Sequence, residues 1–508
     1  MNKQNQSILF YTFLVIGVFI RIYIIAQPSE IILDRWGSDD MFYYSQIAGH
    51  FLDKGFLTFD GINPGTGVQP LFFLVLVPFG KLLLNDFENS IRILLIVITF
   101  FNVITAFFMR SVLSMFSNNS LFGTISASLF IVHPKILSVC FQGTEGGLSM
   151  MVFVLLIFVW YRFFIEKKKI IVSSLFFAVC ILVRLDFSLL IFGLSLISLI
   201  RKEVSIRQLF QASILPVVFL GGWLVFLYTQ SFSFFPDSGA AKKLHSAFIF
   251  EEQLGNQTIK KSFVIVENLI KICTLPFRAE KQISITTFLL LVIGFYSMFK
   301  NKQMSRNKLF TGIFLPFLAA SIFYTIVLIA LLVYFREWYG VSLFILFIIS
   351  ITFLVIEGMK QLKMAKYTFL ILFLLTICWW IEANHYPRNY LHREQYQVLD
   401  WTLENIPPGT RIGAFNSGFY GSYLGDKYTV INLDGLVNHA ALESLKNKTL
   451  YQYVSEEKIE VIIDFTGSIQ FYSNLGGMNL MDNLKTLKEY NLDQSESNLL
   501  GIYSVRRR

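Results

Sequence analysis

Long apolar runs separated by short polar connections dominate the first three quarters of the chain. They recur from Ser7–Ala26 to Tyr367–Ile381, many at or near the length an α-helix needs to cross a hydrocarbon core of about 30 Å. This pattern predicts a polytopic helical membrane protein. The first run continues past Arg21 into a further apolar patch and then bulky residues, without a small-residue cleavage site. Tyr11–Ile25 therefore reads as the first spanning helix rather than as a cleavable signal.

The pattern changes after Glu382. A helical stretch, a Pro-Pro-Gly turn and short β-branched strands at Arg411–Ala414, Tyr428–Ile431 and Val461–Asp464 follow one another, and such helix–strand alternation indicates a small α/β domain. The expected division is a membrane domain over residues 1–382 and an extracytoplasmic α/β domain over 383–508. No internal repeat or low-complexity tract is present.

Composition agrees with this division. Of the 508 residues 54% are hydrophobic and only 15% charged, more apolar than an ordinary soluble domain. The net charge of +9 is no nucleic-acid footprint, because its lysines and arginines cluster in short loops. Arg110; Arg162 with Lys167, Lys168 and Lys169; Arg201, Lys202 and Arg207; Lys300, Lys302, Arg306 and Lys308; and Lys360, Lys363 and Lys366 are separated by two apolar runs each. All five clusters then fall on the cytoplasmic face. The parity holds if Pro70–Leu84 lies along the outer surface. The expected fold is an α-helical polytopic protein with about 11 spanning helices, in the inner (cytoplasmic) membrane, its carboxyl-terminal domain outside.

The outward loops carry the unusual polar residues. They are the first loop, about 27–90; Phe141–Gly147; Arg184–Asp186; a large loop, about 231–282; and Phe335–Gly340. Asp39 and Asp40 open a stretch in which Phe42, Tyr43, Ile47, Ala48, Phe51 and Leu52 recur at helical spacing, predicting an amphipathic interfacial helix. Acids there also suit an N-cap. The Gly/Asn/Pro-rich segment Gly55–Gln69 makes this loop longer than an unspecialised connection. Glu145, between two apolar runs, needs a partner, a ligand or a wet cavity, or simply starts a helix. His133 reads as an interfacial histidine rather than a metal ligand. Arg184 and Asp186 are candidates for substrate contact or for the hydrated corner of a helical hairpin. Asp237, Lys242, Lys243 and His245 form a further group, and Arg336, Glu337 and Tyr339 another. Outward-facing Lys242, Lys243 and Arg336 run against the orientation rule, and an anionic ligand such as a lipid phosphate would explain them; snorkelling is the other reading. The four cysteines, Cys140, Cys180, Cys273 and Cys378, have no metal-ligand or disulfide spacing.

The ordered series "SDDMFYYSQIAGHF…TFDGINPGTGVQPLFF", "GTEGGL", "LVRLD", "PDSGAAK" and "IGAFNSGFYGSYLGDKYTVINLDGLVN" resembles the integral-membrane glycosyltransferases of the GT-C superfamily, in the branch of protein mannosyltransferases and aminoarabinose transferases. The resemblance covers nearly the whole chain. It implies inverting transfer of a sugar from a polyprenyl-phosphate donor to a glycan, lipid or protein acceptor on the outer face. It implies Asp39 as catalytic base with Asp40 beside it, and cations for the phosphate at Lys242, Lys243 and Arg336. Gln69 stands before Pro70 where many relatives carry Lys or His, and Thr144-Glu145-Gly146 replaces a Met-Glu-Thr-like triad. Asp434 and Asn438 are candidates for acceptor contact, or for capping a strand-to-helix turn. No nucleotide need be bound, and a divalent metal is left open, with Asp39, Asp40 and Glu145 as its candidate ligands. No P-loop or dinucleotide fingerprint is present.

Two other classes fit a greasy chain with polar loops. A transporter or flippase would place its polar residues near the midplane, often in two related halves, whereas here they gather at one face and no halves match. An inactive scaffold homologue is the third, against which the retained Asp39 argues.

Overall fold

The computed structural model describes residues 2–253, 262, 264–268, 270, 278–279, 282–283, 310–332, 336–361, 367–385, 391–491 and 499–506. The chain packs as two compact units, each assembled from separated segments: Met1–Ala26, Leu95–Leu220 and Ile259–Pro387 in the first, and Gln27–Leu94, Gly221–Thr258 and Arg388–Arg508 in the second. Among the described residues, five helices are long and apolar enough to cross a membrane: Lys3–Ile25, Phe87–Ser117, Gly146–Glu166, Ile206–Ser231 and Thr311–Leu331. A sixth results if Ser120–Val132 and Pro134–Phe141, bent by 55°, form one span. Further apolar helices, Ile170–Val183, Phe187–Ile200, Glu337–Phe353 and Leu370–Ala383, are shorter. The basic residues Lys300, Lys302, Arg306, Lys308, Lys363 and Lys366, the Cys273 position and much of the 231–282 loop lie outside the described residues.

Among its described residues the core of the first unit is helical. Gly17 lets Lys3–Ile25 approach the Ile131 backbone closely, since a Cβ there would fall 2.7 Å from the Ile131 carbonyl oxygen. One turn on, the fully buried Arg21 donates to the carbonyls of Ile131 (2.6 Å) and Gly17 (2.9 Å) and to Asn102 Oδ1 (3.0 Å). At the bend before Pro134 the Val132 carbonyl accepts from Trp380 Nε1 at 2.9 Å. Two of the backbone carbonyls beside the break, those of Ile131 and Val132, are thus met by side chains, as an apolar interior demands. His133 departs from its expected interfacial setting. It is buried against Trp379, at 4.6 Å between ring centroids, and among the described residues neither ring nitrogen has a hydrogen-bond partner.

The second unit joins the first-loop helices to the α/β domain. Its elements include helices α1 (Asp40–Lys54), α2 (Asp237–Phe248), α3 (Ser417–Leu424) and α4 (His439–Lys446). The strands are β1 (Arg411–Ala414), β2 (Thr429–Asn432), β3 (Val461–Phe465), β4 (Leu484–Asn491) and β5 (Leu499–Val505). They form one sheet in the order β2-β1-β3-β5-β4, with β1 parallel to both β2 and β3 and the β3–β5 and β4–β5 pairs antiparallel. The three parallel strands are almost continuously buried, as strands covered on both faces should be. Ile431, Leu433, Leu445, Val454, Ile462 and Tyr503 share their core. The edge strand β4 is largely exposed and carries Lys485 and Lys488, charges that discourage edge-to-edge pairing.

α1 is not the one-sided interfacial helix its periodicity predicts. Every residue from Met41 to Gly49 is buried. Tyr44 packs on Phe72 and Phe51 on Phe73, Gly49 meets Leu84, and on another side Phe42 meets Phe419 of α3. Segment Pro70–Leu84, expected not to span, breaks at Val77–Phe79 into short helices. Its 15 residues would cover about 22 Å as a straight helix, short of the hydrocarbon thickness.

Candidate active site

Asp39 precedes α1 with helical backbone angles, and its side chain makes no cap hydrogen bond to that helix. Its carboxylate instead accepts from the Phe419 amide (Oδ1, 2.8 Å) and the Gly418 amide (Oδ2, 3.1 Å). These are second and third residues of α3, whose first-turn N–H groups have no partner within their own helix. A residue expected to start one helix thus caps another, nearly four hundred positions away. Tyr43, one turn along α1, interacts with Asp39 electrostatically and favours its charged form.

The sheet sets where α3 begins. Asp464, buried at the end of β3, accepts from the Phe415 and Asn416 amides (2.7 and 2.8 Å) and from Asn416 Nδ2 (2.8 Å). It therefore fixes the turn by which the chain leaves β1 for α3. β1 and β3 are neighbours whose following connections diverge, the kind of position at which open parallel sheets gather functional groups.

Asp39, Asp40 and the buried Asp434 influence one another electrostatically. Burial pushes the Asp39 carboxyl up to about 6, against the opposing effect of the amides and Tyr43 and with a further push from Asp40. Burial likewise holds Asp434 well above the usual carboxylate range. Asp434 Oδ1 accepts from the Leu436 amide at 2.8 Å, within the turn between β2 and α4. Asn438 takes the capping role: its Oδ1 accepts from the Ala441 amide (3.1 Å), and its Nδ2 donates to the Asn432 carbonyl and the Tyr453 hydroxyl, both at 2.8 Å.

A second cluster of the same unit centres on fully buried Asp237. Asp237 Oδ2 accepts from both the amide and the hydroxyl of Thr66 at 2.8 Å, while Oδ1 lies 2.7 Å from His439 Nδ1. Hydrogen bonding to Asp237 raises the His439 imidazole above its ordinary value. Burial, with Lys242 adding repulsion, lowers His245 to about 4. Lys243 of α2 is exposed. Gln69 starts the Pro70–Leu76 helix, and its amide donates to the Tyr44 hydroxyl at 3.2 Å.

The first unit has its own constellation. Arg184, wholly buried, pairs with Glu145 Oε1 at 2.6 Å and with Asp186 through two bonds of 3.0 and 2.7 Å. It also donates to the Trp338 carbonyl (3.3 Å) and stacks over Tyr339, 4.6 Å from the ring centroid. The Tyr324 hydroxyl donates to Asp186 Oδ2 at 3.0 Å. Beside it Lys135 pairs with Glu337 at 2.5 Å, and Arg336 is exposed. The sequence candidates Glu145, Arg184, Asp186 and Tyr339 therefore belong to one network that also recruits Tyr324 and Trp338. Arg184–Asp186 is a buried node rather than a hydrated corner. Among the described residues no three His, Cys, Asp or Glu side chains group as a metal site would need. Glu145, one of the proposed ligands, is committed to Arg184.

Over residues 387–500 the sequence matches a family model described as Domain of unknown function (DUF8728). No curated protein matches the sequence. Among solved structures, the chain is similar to ArnT from Cupriavidus metallidurans bound to undecaprenyl phosphate, with a TM-score of 0.54 at 10% identity over 96% of this chain and 97% of that one. It is also similar to the archaeal oligosaccharyltransferase AglB from Archaeoglobus fulgidus in complex with an inhibitory peptide and a dolichol-phosphate, with a TM-score of 0.51 at 11% identity over 98% of this chain and 74% of that one. The fold is GT-C, as the sequence resemblance implied, in a multi-pass membrane protein with a small carboxyl-terminal sheet domain.

Proposed function

We propose that the protein is an inverting glycosyltransferase that takes a sugar from a polyprenyl-phosphate donor and transfers it to a glycan, lipid or protein acceptor at the outer face of the cell's inner membrane. The observation that carries this reading is the state of Asp39. Its carboxyl, at about 6, is ionised near neutral pH yet basic enough to take a proton from an attacking hydroxyl. A carboxylate offers about four lone-pair sites; the Gly418 and Phe419 amides use two, leaving room for the acceptor. The two structural neighbours, one bound to undecaprenyl phosphate and the other in complex with dolichol-phosphate, support the donor class.

In the proposed step the acceptor hydroxyl gives its proton to Asp39 as its oxygen bonds to the anomeric carbon. The bond from that carbon to the carrier phosphate breaks on the opposite face, and polyprenyl phosphate leaves with the electron pair. Lys242 and Lys243, in the same unit as Asp39, are the cations assigned to the phosphate. Asp40 tunes Asp39 by its charge. In the second unit Gln69 and Asp434 are assigned to substrate contact, and in the first the Glu145–Arg184–Asp186 network holds Tyr339. No step is routed through a metal.

The test is transfer from a panel of polyprenyl-phosphate sugars by the purified protein in lipid, for wild type and Asp39→Asn, with a chelator arm. The reading requires turnover in wild type and its loss in Asp39→Asn with donor binding kept. Undiminished turnover in Asp39→Asn removes the assigned base. Failure to bind any donor, with movement of a lipid-linked sugar across the bilayer, would make the protein a transporter.

A further inference from the structure

The α/β domain and the first loop are fastened to each other at several points within the second unit. Gly65 and Gly67 press against the carbonyls of Val437 and Leu436, where a Cβ on either glycine would overlap the carbonyl oxygen. The His439 amide donates to the Pro64 carbonyl at 2.8 Å, and Asp237 ties Thr66 to His439. At Asp39 the fit is equally close. A Cβ on Gly418 would collide with the Asp39 backbone carbonyl and stand 2.9 Å from its Oδ1. Phe419 is wedged among Phe42, Phe87 and Tyr396, with ring centroids 6.1, 5.7 and 5.0 Å away. α3 therefore has little room to shift relative to Asp39.

We propose that the α/β domain, the part of the chain matched only as a domain of unknown function, serves as the positioning element for Asp39, its α3 amides fixing the carboxylate and Gly418 allowing the approach. This rests on the reading of Asp39 as base. Gly418, Phe419 and Tyr43 are positioning residues: the amides of the first two bond the carboxylate, and Tyr43 favours its charged form. Hydrogen bonds to an ionised acceptor are stronger and more directional than neutral ones, and the dipole of α3 favours the negative charge.

The experiment compares Gly418→Ala and Tyr43→Phe with wild type in the full-length protein in lipid, reading kcat, donor KM, donor binding and thermal stability. Gly418→Ala keeps both amides but pushes the carboxylate away by part of a methyl group, and displacement on this scale costs about a hundredfold in rate. The expected result is a fall in kcat of about a hundredfold for Gly418→Ala and about tenfold for Tyr43→Phe, with donor binding unchanged in both. Where Gly418→Ala fails to fold, Phe419→Leu, which loosens α3 against Phe42, Phe87 and Tyr396 without adding volume, carries the test of the α/β domain, and Tyr43→Phe reports only on the first-loop side. Values of kcat within about twofold of wild type in folded variants overturn the proposal, as does loss of donor binding in step with kcat. The two readings fail separately. An active Asp39→Asn removes the base itself, whereas an inactive Asp39→Asn beside a fully active Gly418→Ala and Tyr43→Phe removes only the positioning role.

Discussion

Removing Arg184 exposes how much of the first unit depends on one side chain. The guanidinium is 0% exposed, and its partners Glu145 and Asp186 have side chains only 4% and 16% exposed. Arg184→Met leaves two carboxylates in an apolar surround and the Trp338 carbonyl without this donor. Breaking a buried pair from one side costs about 3–5 kcal/mol, and at about 2 °C per kcal/mol for a unit of this size the midpoint should fall by roughly 6–10 °C. The triple change Arg184→Met, Glu145→Gln, Asp186→Asn removes every charge together and should regain most of that loss, because the desolvation cost goes with the pair. Arg184→Lys keeps the charge but loses the fork that spans two acids, and should lie between. The assay is thermal unfolding of the four proteins in matched lipid nanodiscs, followed by tryptophan fluorescence. A midpoint unchanged in Arg184→Met, or a triple variant no more stable than the single, would falsify the account of Arg184 as the node of the network.

Three further outcomes are expected. The acid limb of kcat/KM should fall at about pH 6, losing about tenfold by pH 5; an unperturbed aspartate would hold the rate to about pH 4, so a flat profile down to pH 5 contradicts the burial of Asp39. Asn438→Ala should destabilise the α/β domain by about 2–4 kcal/mol, from one lost cap and two stranded buried partners, measured as greater protease susceptibility; a change in acceptor KM at unaltered protease resistance would instead make Asn438 an acceptor contact. Because the folded-state value of His439 is raised, its stabilisation is fully present below about pH 6.5, the ordinary unfolded value, and disappears as pH rises through the folded value. Wild type should therefore outlast His439→Gln in thermal unfolding at about pH 6, and a gap that widened with pH would reverse the assigned sign.

Much of the architecture is legible in the sequence because it rests on local pattern. Apolar runs of membrane length and strands at 411–414, 429–432 and 461–465 are set by periodicity, and the observed strands lie within a residue of those expected. The acids at 39 and 40, Glu145 and the Arg184–Asp186 pair stand out because charge amid apolar sequence demands a partner. What pattern does not carry is the identity of that partner. Asp39 looks like the cap of its own helix, since the amides that hold it come from Gly418 and Phe419, whose backbone N–H groups have no signature in side-chain chemistry. α1 scans as one-sided because its Gly49 and Tyr44 faces are covered by segments remote in sequence. Thr66 is an ordinary loop residue and His439 an ordinary helix start until Asp237 brings them together.

The second unit draws on residues 27–94, 221–258 and 388–508, which sets a schedule for its assembly. A ribosome adding about 5–20 residues per second reaches α3 some tens of seconds after it has finished α1. Through that interval Asp39 has no amides to receive it, and Phe42 and Gly65 wait for surfaces that do not yet exist. Nascent chains are therefore most vulnerable to quality-control proteases over the first loop. A stop codon before residue 388 would leave that loop lacking Phe419, Val437 and His439, so premature termination late in the reading frame should produce a protein cleared as readily as one truncated early.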